Sequence, residues 1–219
     1  MNRLAVFDCD GTLVDSAATI CRAIEQGFAA CGIAAPGREA SRGIIGLSVV
    51  EAMQALHPAG SEDEHQALST AYKASFADLR RLGLAEEPLF EGIVDAIEGL
   101  EARGWLLGVA TGKSDRGLAH ILELHGLHPR FVTLQTADRH PSKPHPSMLW
   151  QAMADAGAAP ETTVMIGDTS YDMAMAKAAG AHAIGVAWGS HSATVLRETG
   201  ADAVATHASQ LIALIAALP

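Results

Sequence analysis

Residues Leu4–Thr12 read LAVFDCDGT, an apolar run that ends in two aspartates separated by one residue. A short apolar run that stops at acidic residues and glycine is typical of a strand buried on both faces of a parallel sheet. Five further runs of similar character follow along the chain. They are Trp105–Ala110, Val132–Gln135, Val164–Ile166, Ala183–Val186 and Ala203–Ala205. The sequence therefore predicts six strands, of which all but the third and the last read as fully buried.

Helical patterns separate most of these strands. The predicted helices are Ile93–Ala102, Gly117–His125, Ser147–Ala156, Asp172–Ala179, Ser192–Thr199 and Ala208–Ala217. Strands that alternate with helices build a parallel sheet with helices on both faces, because each crossover packs a helix back onto the sheet. The predicted fold class is therefore α/β, with a doubly wound parallel sheet.

The stretch from about Asp15 to Glu87 interrupts this alternation. It has no comparable β-branched run and reads as successive amphipathic helices. Two residue pairs in it have the spacing of a capping box, in which a serine starts a helix and a glutamate three residues later reaches back to it. The pairs are Ser48 with Glu51 and Ser61 with Glu64. We therefore predict a helical domain over residues 16–86, inserted into a core formed by residues 1–15 and 87–219.

Composition and charge limit the possible functions. The 219 residues are 49% hydrophobic and 18% charged, which is too apolar for a disordered chain. The formal net charge is −10, and no cluster of Lys and Arg is present, so we expect no nucleic-acid partner. A small anionic substrate would be repelled at long range. A site for such a substrate would need a cation of its own.

Three features of the sequence bear on where the protein works. The three cysteines are an odd number without CxxC spacing, which fits a reducing compartment. The N-terminus lacks the pattern of a secretory signal, and the apolar C-terminal run Leu211–Leu218 is far shorter than the roughly 20 residues that a membrane span needs. We therefore expect a cytoplasmic protein with no membrane partner, either a monomer or a homodimer.

Polar and charged residues follow four of the predicted strands. They are Asp8 and Asp10 after the first strand, Thr111, Gly112 and Lys113 after the second, Asp138, Ser142 and Lys143 after the third, and Asp168 and Asp172 after the fourth. In an open α/β sheet, ligands bind outside the carboxyl ends of the strands. We therefore expect these side chains to share one edge of the sheet.

The carboxylates among them predict a metal site. Asp8 and Asp10 are two residues apart, which in an extended segment points both side chains to the same side. With Asp168 from another strand they would form a group of three carboxylates, which repel one another unless a cation is present. Oxygen ligands of this kind favour Mg²⁺, which also accepts phosphate oxygens as ligands.

The remaining groups suit phosphoryl transfer, in which the protein positions a nucleophile and neutralises charge on phosphate oxygens. Asp8 can attack phosphorus and form an aspartyl phosphate. Asp10 can protonate the leaving alkoxide and later deprotonate the attacking water. Thr111, the Gly112 amide and Lys143 can bind the phosphate. Asp172 has two possible roles, capping the helix that follows or supporting the water shell of the metal.

These residues resemble the haloacid dehalogenase superfamily of phosphatases and phosphotransferases. The four motifs that carry the resemblance are Phe7–Ser16 (FDCDGTLVDS), Ala110–Lys113 (ATGK), Lys143–Pro146 (KPHP) and Gly167–Asp172 (GDTSYD). The resemblance implies a Rossmann-like core and a helical cap inserted after the first motif. It also implies Mg²⁺ held by the Asp8 side chain, the Asp10 carbonyl and Asp168. Cys9 departs from the larger apolar residue usual at its position, and we expect its side chain to face the core.

Within the superfamily, the sequence looks most like the phosphoglycolate phosphatases. The stretches concerned are Asp8–Ser16, Ile45–Ser48, Phe90–Gly92 and Asp172–Gly180. The resemblance implies hydrolysis of a small phosphate monoester, with 2-phosphoglycolate as the expected substrate and Arg42 and Lys113 as candidates for binding its carboxylate. A phosphoryl mutase or a pyrophosphatase on the same scaffold stays open. A phospho-accepting receiver domain is the alternative of another class, but it would not need a helical insertion of about 70 residues.

Overall fold

A computed structural model of the chain describes residues 1–218. Pro219, the last residue of the predicted core segment, lies outside the described residues. The six strands form one parallel sheet in the order β3-β2-β1-β4-β5-β6. Their bounds are β1 (Asn2–Phe7), β2 (Trp105–Thr111), β3 (Thr133–Thr136), β4 (Ala158–Gly167), β5 (His182–Val186) and β6 (Ala203–Ala205). All six predicted strands are present, and the α/β fold class is confirmed.

The strand order reverses direction between β1 and β4. From β1 the chain builds outward through β2 and β3, and it then returns to pair β4 with the other side of β1. In a doubly wound sheet such a reversal opens a crevice at the carboxyl ends of the strands, where ligands bind. Asp8 follows β1 and Asp168 follows β4, so these two aspartates flank the crevice.

Residues 1–218 contain ten α-helices. They are α1 (Ala17–Ala30), α2 (Arg38–Gly43), α3 (Val49–Leu56), α4 (Glu62–Arg81), α5 (Ile93–Glu101), α6 (Asp115–Leu124), α7 (Ser147–Ala156), α8 (Ser170–Ala179), α9 (Ala193–Glu198) and α10 (Leu211–Ala216). Short 3₁₀ helices at His128–Arg130 and Ala208–Gln210 precede β3 and α10. No helix in this part of the chain is both long and apolar enough to cross a membrane.

The sheet is covered on both faces, which is why its strands read as continuous apolar runs. Along β1, Ala5 and Phe7 point into one core with α5, α6 and α10, whereas Leu4 and Val6 point into a second core with α7, α8 and α9. Complete burial of a side chain such as Phe7 or Leu4 contributes roughly 1.5–3 kcal/mol. Cys9 is buried in the first of these cores, as expected from the sequence.

Four helices, α1 to α4, lie between β1 and α5 and have an apolar core of their own. Helices α1 and α4 pack closely because Gly27 lets the backbone of Tyr72 approach: a Cβ at Gly27 would lie 3.0 Å from the Tyr72 nitrogen. The Ser61–Glu64 capping box starts α4 as predicted. Ser48 is the N-cap residue of α3, as predicted, but its side chain makes no capping hydrogen bond, so the predicted Ser48–Glu51 capping box is absent.

Candidate active site

Four charged side chains from separate segments meet at the carboxyl edge of the sheet. Asp8 follows β1, Asp168 follows β4, Asp172 lies in the first turn of α8, and Lys143 lies in the segment between β3 and α7. All four are almost completely buried. The Lys143 Nζ lies 2.7 Å from Asp8 Oδ1 and 2.6 Å from Asp172 Oδ1. The predicted convergence of these residues is therefore present in the fold.

The group carries more negative than positive charge. Carboxylate oxygens of Asp8, Asp168 and Asp172 lie within 4.8 Å of one another, and Lys143 is the cation that contacts two of them. Burial raises the pKa of Asp8 well above its usual range and, together with the neighbouring Asp172, raises that of Asp168 to about 7. Burial alone lowers the pKa of Lys143, but Asp172 and Asp8 outweigh it, so the amine stays charged.

Asp8 and Asp168 differ in the hydrogen bonds that their carboxylate oxygens accept. Asp168 accepts hydrogen bonds from the Thr12 hydroxyl at 3.0 Å and from the Ser190 amide at 2.7 Å. Neither oxygen of Asp8 accepts a hydrogen bond from a backbone amide or a hydroxyl group in residues 1–218, and Oδ1 pairs with Lys143 Nζ at 2.7 Å. Oδ2 has no such partner, which is rare for a buried polar oxygen, so Asp8 has lone pairs for another ligand or for chemistry.

The Asp10 side chain points away from this group. The predicted trio of Asp8, Asp10 and Asp168 side chains is therefore not formed. Its Oδ1 lies 2.8 Å from Lys113 Nζ and accepts a hydrogen bond from Ser16. The prediction assumed an extended segment, but β1 ends at Phe7 and the chain then turns, with the Leu13 amide donating to the Cys9 carbonyl at 2.9 Å. The side-chain trio is instead completed by Asp172.

Asp172 caps the helix that follows it, which is one of the two roles that the sequence left open, and it also pairs with Lys143. Its carboxylate accepts hydrogen bonds from the amide and the hydroxyl of Thr169, which forms a capping box at the start of α8. Its other oxygen pairs with Lys143. Because the first turn of a helix favours negative charge, α8 helps to hold this carboxylate beside the site.

The two candidates for a substrate carboxylate are already engaged within the protein. Lys113 lies between Asp10 and the buried Glu87, whose carboxylate is 3.5 Å from its Nζ. Glu87 in turn accepts two hydrogen bonds of 2.9 Å from Arg80. Arg42 donates to the Gly189 carbonyl at 3.2 Å. Glu87 and Arg80 are not among the residues predicted from the sequence, since neither lies in a motif and only packing brings them beside Lys113.

Thr111 and Gly112 lie where β2 reaches the same edge. Thr111 is buried, and its hydroxyl accepts a hydrogen bond from the Lys113 amide at 3.2 Å. The loop before α3 closes directly over Gly112: a Cβ at this position would lie 2.4 Å from the Leu47 carbonyl oxygen. Glycine is therefore required for this close approach.

Further contacts connect the α2–α3 loop, which runs from the end of α2 to the start of α3, with the edge of the sheet. The Ser48 amide donates to Ser142 Oγ at 2.8 Å, next to Lys143. The Tyr171 hydroxyl donates to the Gly43 carbonyl at 3.0 Å. The end of α2 and the residue before α3 therefore contact the segments that carry Lys143 and Asp172.

Comparison with known proteins agrees with this arrangement. A family model described as haloacid dehalogenase-like hydrolase matches residues 5–186. A protein of Dickeya dadantii (strain 3937) named "Probable phosphatase IndB" is 35% identical over 222 residues, which cover 100% of this chain and 95% of that protein. The phosphoglycolate phosphatase of Yersinia pestis is 31% identical over 217 residues, with coverage of 97% and 93%.

A solved structure supports the fold independently. The crystal structure of a predicted phosphatase from Clostridium acetobutylicum superimposes with a TM-score of 0.88 at 23% identity, covering 99% of each chain. The chain therefore belongs to the haloacid dehalogenase-like hydrolase family. It is a phosphatase of this family, a hydrolase of phosphoric monoesters.

Proposed function

We propose that the enzyme hydrolyses a small phosphate monoester with the help of Mg²⁺ and through a phosphoryl group transferred to Asp8. The observation that carries the proposal is the environment of Asp8, which is buried against Lys143 and accepts no hydrogen bond from a backbone amide or a hydroxyl group in residues 1–218. A carboxylate held in this way is free to act as a nucleophile. The ion pair with Lys143 favours its charged form against the cost of burial.

The residues that surround Asp8 would bind the phosphate and transfer protons. Lys143 would neutralise a phosphate oxygen beside Asp8, and Thr111 and the Gly112 amide would bind other phosphate oxygens. Asp10 would donate a proton to the leaving alkoxide and later accept one from water. Its contacts with Lys113 and Ser16 fix the carboxylate at the crevice rather than among the other aspartates.

The same group fits Mg²⁺. Asp8, Asp168 and Asp172 offer only oxygen donors and carry more charge than Lys143 balances, and Asp8 Oδ2 has no hydrogen-bond partner in residues 1–218. We propose Asp8 and Asp168, with the Asp10 carbonyl, as the ligands, and Asp172 as support behind them. Bound there, the ion would neutralise charge on the transferring phosphate.

We also propose that residues 16–86 act as a cap over a core of residues 1–15 and 87–219. Closure of such a cap excludes bulk water from the crevice, which strengthens the charge interactions inside it. The contacts of the α2–α3 loop with Ser142 and Tyr171 support this role. The cytoplasmic location and the monomeric or homodimeric state of the protein stay predictions from the sequence.

The identity of the substrate is the most specific part of the proposed function. The name of the Yersinia relative makes 2-phosphoglycolate the first compound to test. Pyrophosphate and a sugar phosphate such as β-glucose 1-phosphate represent the pyrophosphatase and mutase alternatives. A receiver domain would take up one phosphoryl group per protein and stop, whereas an enzyme continues to release phosphate.

We expect chelation to abolish phosphate release. Inorganic phosphate should be measured over many turnovers on these compounds, with Mg²⁺, with EDTA, and with Mg²⁺ restored after EDTA. Release should fall to background with EDTA and return with Mg²⁺. Because bound Mg²⁺ relieves repulsion among the carboxylates, it should also raise the thermal midpoint of unfolding, and this rise should be absent in Asp168→Asn. Activity that EDTA leaves undiminished would overturn the metal proposal.

A further inference from the structure

A cavity of about 590 Å³ opens beside the candidate active site. It lies between the helices α1, α3 and α4 and the segment that follows β2. Asp10, Gly112 and Lys113 form part of its wall, so it is continuous with the edge where the phosphate chemistry is proposed. Cavities that enclose a drug-sized ligand measure roughly 300–1,000 Å³. This cavity is therefore much larger than a two-carbon acid requires.

Most of the cavity wall is apolar. Helix α1 contributes Ile20 and Ile24, α3 contributes Met53, and α4 contributes Tyr72 and Phe76. The two aromatic rings pack against each other with centroids 5.9 Å apart. Tyr72 and Phe76 are half-buried, and burial raises the pKa of the Tyr72 hydroxyl. Such a surface binds hydrocarbon and offers nothing to a carboxylate or a second phosphate.

The charges at the inner end of the cavity are already balanced. Lys113 is paired with Asp10 and Glu87, and Arg80 makes two hydrogen bonds to Glu87. A substrate carboxylate placed there would compete with these buried partners for the same cations. The other basic residues of the wall are solvent-exposed, where an ion pair contributes little. These are Lys73, Arg81, Arg116 and His120.

From this cavity we propose that the physiological substrate is a phosphate monoester of a bulky apolar alcohol, whose hydrocarbon body lies against Tyr72, Phe76 and Met53. The inference rests on the proposed function and specifies its substrate class. It places the ester oxygen near Asp10 and the hydrocarbon in the cavity between α1 and α4. It disfavours 2-phosphoglycolate and pyrophosphate, since the part of each that would enter the cavity is charged.

A series of linear alkyl phosphates tests the inference, because ethyl, butyl, hexyl and octyl phosphate share nearly the same leaving-group chemistry. If the alkyl chain of the substrate enters the cavity, kcat/KM should rise about fourfold for each added methylene until the cavity is full. Hexyl phosphate should then exceed ethyl phosphate by on the order of 10²-fold. It should also exceed 2-phosphoglycolate by on the order of 10²-fold, since a charged group gains nothing from this wall.

Two matched variants on α4 locate the effect. Ala77 lines the cavity, whereas Ala74, exposed on the same helix, does not. Ala77→Phe should fill part of the cavity and reduce the hexyl-to-ethyl ratio of kcat/KM to below about tenfold. Ala74→Phe should keep the wild-type ratio. Circular dichroism should show both variants folded.

The outcomes separate the inference from the proposed function. Phosphate release from 2-phosphoglycolate or pyrophosphate at a kcat/KM above that of hexyl phosphate, with a flat alkyl series, would leave the proposed function standing and overturn the inference. Equal changes in Ala77→Phe and Ala74→Phe would also overturn it. No phosphate release from any compound would overturn the proposed function and the inference with it.

Discussion

Asp8→Asn is expected to reduce phosphate release by on the order of 10⁴-fold or more, because it removes the nucleophile and leaves only binding and charge stabilisation. The substitution is nearly isosteric, so the buried site should keep its shape. It also removes one of three mutually repelling carboxylates, and burial already raises the pKa of Asp8. The variant should therefore be at least as stable as the wild type at neutral pH.

Initial rates of phosphate release and the thermal midpoint of unfolding should be measured together for Asp8→Asn. Asp95→Asn is the matched control, since Asp95 is exposed on α5 and far from the described contacts of the site. The control should keep the wild-type rate. An Asp8→Asn rate within tenfold of the wild type would contradict the assignment of Asp8 as the nucleophile.

Lys143→Met is expected to reduce the free energy of unfolding by about 3–5 kcal/mol, the usual result of removing one partner from a buried ion pair. The Lys143 side chain is fully buried and contacts both Asp8 and Asp172. Without its charge, the carboxylates would remain buried with no cation beside them. Phosphate release should also fall by about 10²–10³-fold or more, because the variant loses a group that neutralises the phosphate.

Urea unfolding at neutral pH and low metal concentration measures the stability change. Lys177→Met is the matched control, because Lys177 pairs with Asp202 at 2.6 Å but both side chains are partly exposed. An exposed pair contributes at most about 1 kcal/mol. Equal losses in the two variants would mean that the buried ion pairs of Lys143 do not stabilise the fold as described here.

The strands could be predicted because both faces of the sheet are covered. The centres of strands such as β1 and β5 are then apolar at every position, and this signal is visible in a single sequence. The first half of β4 lacked that signal. Residues 158–163 read AAPETT and pair irregularly with the start of β1, so the predicted strand began only at Val164.

The candidate site could be predicted as far as it depends on strand ends. Asp8, Lys143 and Asp168 follow three strands, and the parallel topology brings them together. The direction of the Asp10 side chain could not be predicted, since it depends on a turn in which Gly11 has a φ of 83°. The pairing of Glu87 with Arg80 and Lys113 could not be predicted either, because none of these contacts follows from a strand end and Lys113 lies 26 residues from Glu87.

Acid quenching during turnover of a ³²P-labelled phosphate monoester tests directly whether a phosphoryl group passes through Asp8. Radioactive protein should form within the first turnover in the presence of Mg²⁺, with the label on the peptide that contains Asp8, and no label should appear in Asp8→Asn or in EDTA. Full turnover of the wild type with no labelled protein, or a label on a different residue, would contradict passage of the phosphoryl group through Asp8.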